Sequence, residues 1–304
     1  MTSFCRLAIA GKMHHGKKQQ LGNLFVLVKL DENEFYCYIF DKEEEIETFL
    51  DFFNISLVKN SAVYGLEDEE AEEVKMNKLQ RAILEYARGF DNFPVSTDIS
   101  NKAREFFFKI LKNEAWQPDR DILKWIEIEY KIFNEIEKHS YSPYLSNAFG
   151  ELEKLIEFAN MALNRRKSRA GKSLEHHVEF VLKELEFPFS HPGKTEGNRK
   201  PDFLFPSNEY YKEANKFDEY LVILGAKTTC KDRWRQLITE GNKVETKHLI
   251  TLQQGITTNQ LYEMIDEKVQ LVVPRPLQSC YPEEYQDYLW DINTFIGFLM
   301  EKYR

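Results

Sequence analysis

The stretch 221-LVILGAKTTCKDRWRQLITE-240 decides the fold. It opens as a short apolar run that ends on Lys227, and a charged segment follows. A run that short, bounded by polar residues, reads as a buried strand, and the segment after it reads as a helix over 231–245. Just upstream, 201-PDFLF-205 reads as the preceding strand, so Asp202 and Lys227 stand on successive strands. That pair is the skeleton of a metal-dependent phosphodiester-hydrolysing site. Asp202 would bind a divalent ion, and Lys227 would orient or activate a water while contacting the phosphate. The skeleton ordinarily carries a second carboxylate two residues before the lysine, and that position here is Gly225. Glu240 is the candidate replacement. It shares a helix face with Arg233, and a carboxylate on a helix packed beside the strand could occupy the space that Gly225 leaves. On composition alone Glu240 is equally an ordinary exposed helical acid.

Outward from this stretch, strands and helices alternate. Strands are expected at 220–226, 247–252 and 269–274, with a C-terminal helix over about 282–302. Strands alternating with helices imply an α/β fold with a mixed central sheet flanked by helices. Residues 98–163 read as helices instead, at 101–116, 119–138 and 145–166, with Pro118 and Pro143 between them. After 164-NRRKSRAGKS-173 another amphipathic helix is expected at 173–187, its buried stripe being Leu174, Val178, Val181, Leu182 and Leu185. At the N-terminus, 23–30 and 34–40 read as two strands joined by a turn, followed by helices near 42–53 and 76–90. Gly89 and Pro94 mark a boundary, which divides the chain into a small α/β extension at 1–92 and a main domain at 93–304.

The 304 residues are 42% hydrophobic and 14% aromatic, which argues for a globular protein. No apolar run is long enough for a membrane span and no signal peptide is evident, so a cytoplasmic protein is expected. Cys5, Cys37, Cys230 and Cys280 are scattered without a CxxC pair, which disfavours zinc and a disulfide framework. The net charge of −9 looks wrong for a nucleic-acid binder until it is divided. Residues 1–95 hold 11 basic and 17 acidic side chains, whereas residues 164–247 hold 17 basic and 13 acidic. Positive charge is concentrated around the suspected site, as binding of phosphate requires.

The run GAKTTCKDRWRQLITE, with PDF before it and KHLITLQQGIT and LVVPRPL after it, resembles the type II restriction endonucleases of the CCGG family, the group of EcoRII, SsoII, PspGI and PfoI. The resemblance covers roughly residues 164–277. It implies the PD-(D/E)xK nuclease fold, Mg²⁺ as cofactor, and double-stranded DNA with a CCNGG or CCWGG core as substrate. It also implies that the second metal-binding carboxylate has migrated to the helix after the lysine, which makes Asp202, Lys227 and Glu240 the catalytic set. The segment 169-RAGKSLEHH-177 is similar to the family's glycine-containing lead into a helix bearing an acid, so Glu175 becomes an accessory carboxylate. The adjacent His176 and His177 point to different helix faces and read as structural or phosphate-facing.

In the family the residues just past the catalytic lysine read the CC/GG bases, which assigns that role to Lys231, Asp232 and Arg233. Their chemistry agrees, since Arg and Lys donate to guanine and an acid accepts from cytosine. The run 104-REFFF-108 offers Arg104 and Phe108 one turn apart, matching a pocket for a flipped central base. A palindromic site implies a homodimer, with the helices at 101–138 as its interface. It also implies a cognate DNA methyltransferase acting on the same site. Residues 1–92 would extend recognition to an outer base pair, as in TCCNGGA, or bind an effector. The competing readings are a catalytically inactive DNA-binding protein on the same scaffold and a structure-specific repair nuclease.

Overall fold

The computed structural model describes residues 24–31, 34–52, 69–90, 92–111, 116–146, 149–230 and 233–304. In chain order the elements are β1 (Leu24–Asp31), β2 (Glu34–Phe40), α1 (Glu43–Phe52), α2 (Glu69–Arg88), α3 (Ser96–Phe106), α4 (Pro118–Ser146) and α5 (Leu152–Glu184). There follow β3 (Phe203–Phe205), α6 (Asn208–Glu213), β4 (Val222–Lys227), α7 (Trp234–Ile238), β5 (Lys247–Thr251), α8 (Thr258–Asp266), β6 (Val269–Val272), α9 (Arg275–Gln278) and α10 (Ile292–Tyr303). Contacts divide the chain into two compact units, one of residues 1–50 with 188–304 and the other of residues 51–187. Residue 92 falls inside the second of these. Among the described residues no helix is long and apolar enough to cross a membrane.

The first unit is built on a four-stranded sheet of order β3-β4-β5-β6. β3 runs antiparallel to β4, with Phe203 opposite Leu224, and β4, β5 and β6 run parallel, with Gly225 beside Leu249 and Leu249 beside Leu271. The sheet is therefore mixed, as the alternating pattern implies. Every residue of β3 and β5 is buried, and so are the first five of β4. That is why β3 and the buried part of β4 read as continuous apolar runs, since each is covered on both faces, whereas β5 buries Lys247, His248 and Thr251 as well.

Register separates the two faces. Phe205 and His248 share one face and meet α10, with ring centroids 6.5 Å and 5.2 Å from Phe295. Ile223, Gly225 and Lys227 alternate onto the opposite face, where α7 packs. β1 and β2 form a separate antiparallel hairpin with Leu27 opposite Cys37.

The second unit is helical. Ile83 of α2, Ile99 of α3, Ile122, Trp125 and Ile136 of α4, and Leu174 and Val181 of α5 form its core. Arg166 of α5 grips Glu137 of α4 at 2.8 and 2.7 Å through two nitrogens, a bidentate pair that fixes the register of these helices. The two helices expected at 145–166 and 173–187 are instead one helix, α5, of 33 residues. Gly171 sits in its interior, where an interior glycine costs only about 1 kcal/mol and the flanking arginines, lysines and alanine sustain the helix.

Two further expectations change, and one helix was not expected. The helix expected over 231–245 spans only the five residues of α7. The C-terminal helix begins at Ile292, because Asp291 caps it by accepting from the Thr294 N–H at 2.7 Å. α8, capped by Thr257 and buried through Leu261 and Met264, is an element whose periodicity is too short to stand out in sequence.

Candidate active site

β3 and β4 bring Asp202 and Lys227 together. Asp202 immediately precedes β3, and its Oδ2 accepts from Lys227 Nζ at 2.8 Å and from the Ala226 N–H at 2.7 Å. Asp202 is 14% exposed and Lys227 27% exposed, so both line the rim of the sheet rather than its interior. The backbone of Asp202 is fixed by its carbonyl, which accepts from His191 Nδ1 at 2.7 Å while the imidazole stacks on Phe203 at 4.5 Å. The carboxylate retains Oδ1 for another partner.

Glu240 reaches the same place from a turn rather than from a helix. α7 ends at Ile238, the Glu240 N–H donates to the Leu237 carbonyl at 3.0 Å, and Gly241 reverses the chain at φ +68°. A Cβ on Gly241 would lie 2.1 Å from Ile223 Cδ1, so only glycine satisfies both the backbone and the close approach to β4. Glu240 is half-buried and its carboxyl pKa is raised. The main cause is loss of hydration, followed by the negative charge of Asp202, with Lys227, Arg199 and Lys247 pulling the other way.

The turn that carries Glu240 is held by neighbours that escape a motif-based reading. Arg199 donates to the Thr239 carbonyl. Glu196 accepts from Tyr211 Oη at 2.6 Å and from the Asn242 N–H at 3.3 Å. Lys243 Nζ donates to the carbonyls of Tyr211, Lys212 and Ala214 at 2.8, 3.0 and 2.7 Å. The signal in sequence is the polar segment 194-KTEGNRK-200 directly before Pro201 and Asp202.

Two carboxylates, Asp202 and Glu240, beside the ammonium group of Lys227 form a donor set for a hard divalent cation such as Mg²⁺. Such an ion takes one or two protein carboxylates and completes its shell with water and phosphate oxygens. Among the described residues no cluster of three or more His, Cys, Asp or Glu is assembled for a metal. A donor set of two carboxylates, Asp202 and Glu240, suits an ion of that kind.

Of the base-reading trio, Lys231 and Asp232 lie outside the described residues. Arg233 precedes α7, with its guanidinium on Glu47. Glu175 belongs to the helical unit, half-buried in the interior of α5 rather than in that helix's first turn.

Arg104 is 6% exposed, with Nη1 2.8 Å from His177 Nδ1 and its guanidinium carbon 4.5 Å above the Phe180 ring. Phe108 lies on a π-helical turn, Phe107–Leu111, that follows α3, and its exposed ring is 6.3 Å from Phe180. His177 is fully buried, with Nε2 2.9 Å from Glu129 Oε2, and burial lowers its pKa, so it is a structural residue. His176 Nδ1 sits 3.0 Å from Ser100 Oγ.

Residues 133–296, just over half of the chain, match the sequence profile of a family described as EcoRII C terminal. The type II restriction enzyme EcoRII of Escherichia coli is 40% identical over 212 residues, covering 69% of this chain and 52% of that enzyme. The chain thus spans about half the length of the curated relative it matches. Among solved structures, PspGI in a complex with substrate DNA superposes with a TM-score of 0.54 at 18% identity, over 69% of this chain and 93% of that one. Metal-depleted Ecl18kI in complex with uncleaved, modified DNA gives 0.58 at 18% identity, over 75% and 84%. These similarities establish a restriction-endonuclease-like fold, a mixed sheet flanked by helices.

Proposed function

The chain belongs to the EcoRII C-terminal family, and from that premise we propose that it is a type II restriction endonuclease. Its substrate is double-stranded DNA at a palindromic site with a CCNGG or CCWGG core, alone or within a longer site such as TCCNGGA, and its reaction is hydrolysis of one phosphodiester in each strand. The observation that carries this reading is the convergence of Asp202, Lys227 and Glu240, with Glu240 close enough to Asp202 for that charge to raise its pKa.

Asp202 and Glu240 would hold Mg²⁺. When bound, that ion supplies Lewis-acid stabilisation of charge on the phosphate oxygens and lowers the pKa of an attacking water. Asp202 already orients Lys227, so the ammonium group is fixed at the rim of the sheet where the scissile phosphate must lie. There it offsets the negative charge that develops as the water oxygen bonds to phosphorus and the bond to the leaving sugar oxygen breaks. Glu240 serves as a ligand in its ionised form, which loss of hydration and the charge of Asp202 disfavour. Glu175 is assigned an accessory role in the same reaction.

Arg233 reads a guanine of the core, with Lys231 and Asp232 beside it in sequence. Phe108 offers the stacking face for a flipped central base, and the buried Arg104 braces the aromatic wall behind it through Phe180. A homodimer matches the two-fold symmetry of the site, and a methyltransferase of the same specificity protects host DNA. Residues 1–92 extend recognition outward.

Digestion of a plasmid in Mg²⁺ tests the reading. Discrete fragments whose ends carry the core are expected. No cleavage with specific binding retained would indicate an inactive DNA-binding protein, and nicks at branched or damaged DNA would indicate a repair nuclease.

A further inference from the structure

The chain between β4 and α7 is held from two sides. On the sheet side Thr251 Oγ1 donates to the Thr228 carbonyl at 3.4 Å, and the Cys230 N–H donates to Gln253 Oε1 at 3.4 Å. On the other side stands α1, which follows the N-terminal hairpin. Its inward face carries Glu43 and Glu47 one turn apart, beside the buried Ile46 and Leu50. Glu47 divides its two oxygens. Oε1 accepts from Thr229 Oγ1 at 2.5 Å, and Oε2 accepts from the Arg233 guanidinium. Glu43, 5% exposed, accepts the Arg233 N–H on Oε2 at 3.3 Å. Both ends of the segment on which the base contacts depend are therefore tied to two acids more than 180 residues earlier in the chain.

An acid partly withdrawn from water against a loop is costly unless it is paired, and the half-buried Glu47 is used on both oxygens. Charge-assisted pairing to a carboxylate restricts a guanidinium to a few orientations. Among the described residues the guanidinium is engaged through Nη2 alone, so the remaining edge stays available for guanine O6 and N7. We infer that Glu47 is a specificity-positioning residue: it holds Arg233 in the orientation that reads guanine, and α1 is thereby part of the recognition apparatus. The inference rests on the assignment of Arg233 to base reading and deepens it. It gives the N-terminal region a task in core readout, apart from any outer base pair.

The test measures binding of the full chain in Ca²⁺ to three duplexes: one with the cleaved site, one with 7-deazaguanine in its core, and one of unrelated sequence. Glu47→Gln keeps size and removes the charge. It is expected to leave affinity for the unrelated duplex within two-fold and to reduce the cognate-to-unrelated ratio by about ten-fold, within the range a bidentate base contact supplies. Sensitivity to 7-deazaguanine should shrink in parallel, which a loss of stability alone would not produce.

In an Arg233→Ala background the same change should have no further effect on the ratio. Thr229→Val, which removes only one hydroxyl, should lower the ratio by a few-fold and serves if Glu47→Gln does not fold. If Arg233→Ala destroys discrimination while Glu47→Gln and Thr229→Val leave it intact, the positioning role is wrong and Arg233 still reads bases. If Arg233→Ala leaves discrimination intact, the base-reading assignment itself is wrong. If Glu47→Gln tightens cognate binding, Glu47 masks Arg233 rather than positioning it, and the inference is overturned.

Discussion

Leu237 occupies the space in front of Gly225. A Cβ on Gly225 would lie 3.1 Å from Leu237 Cδ1 and 3.3 Å from Leu249 Cδ1, so the side of β4 that could have carried a carboxylate is filled by Leu249 and by the helix that leads into the turn bearing Glu240. The absent carboxylate and the close packing of α7 have one cause.

Glu240→Ala should therefore lower cleavage by at least roughly two orders of magnitude, the scale of losing one preorganised electrostatic contact to the reacting phosphate. Binding of the cognate duplex should be largely retained, because the base contacts lie on other residues. Adding Gly225→Glu to that variant should not restore cutting, since the new side chain displaces Leu237. Single-turnover cleavage and thermal unfolding of both variants check this. Recovery of activity in the double variant would show that position 225 still faces the metal.

The raised pKa of Glu240 has two consequences of opposite sign. Activity should fall as pH drops through a value above the usual glutamate range, because the protonated carboxyl is a poor ligand. Stability runs the other way. A carboxyl whose pKa is raised by folding favours the native state at low pH and loses that contribution as pH rises through the folded value. Glu240→Gln should therefore raise the melting temperature at neutral pH, and the gain should vanish below the ordinary glutamate range. Calorimetry of the metal-free protein from acid to neutral pH measures it.

Gly241→Ala should destabilise the protein by about 1–3 kcal/mol, through its left-handed backbone and its collision with Ile223. Ile223→Ala in the same chain should relieve the collision but not the backbone strain, so stability should return only after its own cavity cost is counted. Denaturant unfolding of the two single variants and the double variant separates the terms.

Removal of divalent metal should abolish cleavage, and Mg²⁺ or Mn²⁺ should restore it. Ca²⁺ should support binding without cutting, as expected for a site of hard carboxylate oxygens. Asp202→Asn should lose both the metal response and the restraint on Lys227. Full activity in EDTA would contradict the whole scheme.

The strands of the sheet were legible because burial on both faces writes them as apolar runs, and Asp202 and Lys227 stand where those runs meet polar sequence. Glu240 was identifiable as a residue but misassigned to a helix interior. Arg, Gln, Leu and Ile sustain helical propensity, while the stop lies in one glycine whose positive φ only the packing against Ile223 demands. The buried Glu129–His177–Arg104 cluster reads in sequence as three ordinary polar helix residues, because a buried charge partner leaves no periodic mark. The grip of Glu47 on Thr229 and Arg233 was equally invisible, for no local pattern links residues so far apart.

The three carbonyls that satisfy Lys243 bear on how the protein should respond to salt. Each protein cation that neutralises a phosphate displaces a condensed counterion, and the logarithm of affinity falls with the logarithm of salt concentration in proportion to their number. Lys243 spends all three of its ammonium donors on Tyr211, Lys212 and Ala214. It counts among the basic residues of the segment in composition, but with its donors committed it should contribute less to that slope than a lysine that contacts a phosphate directly.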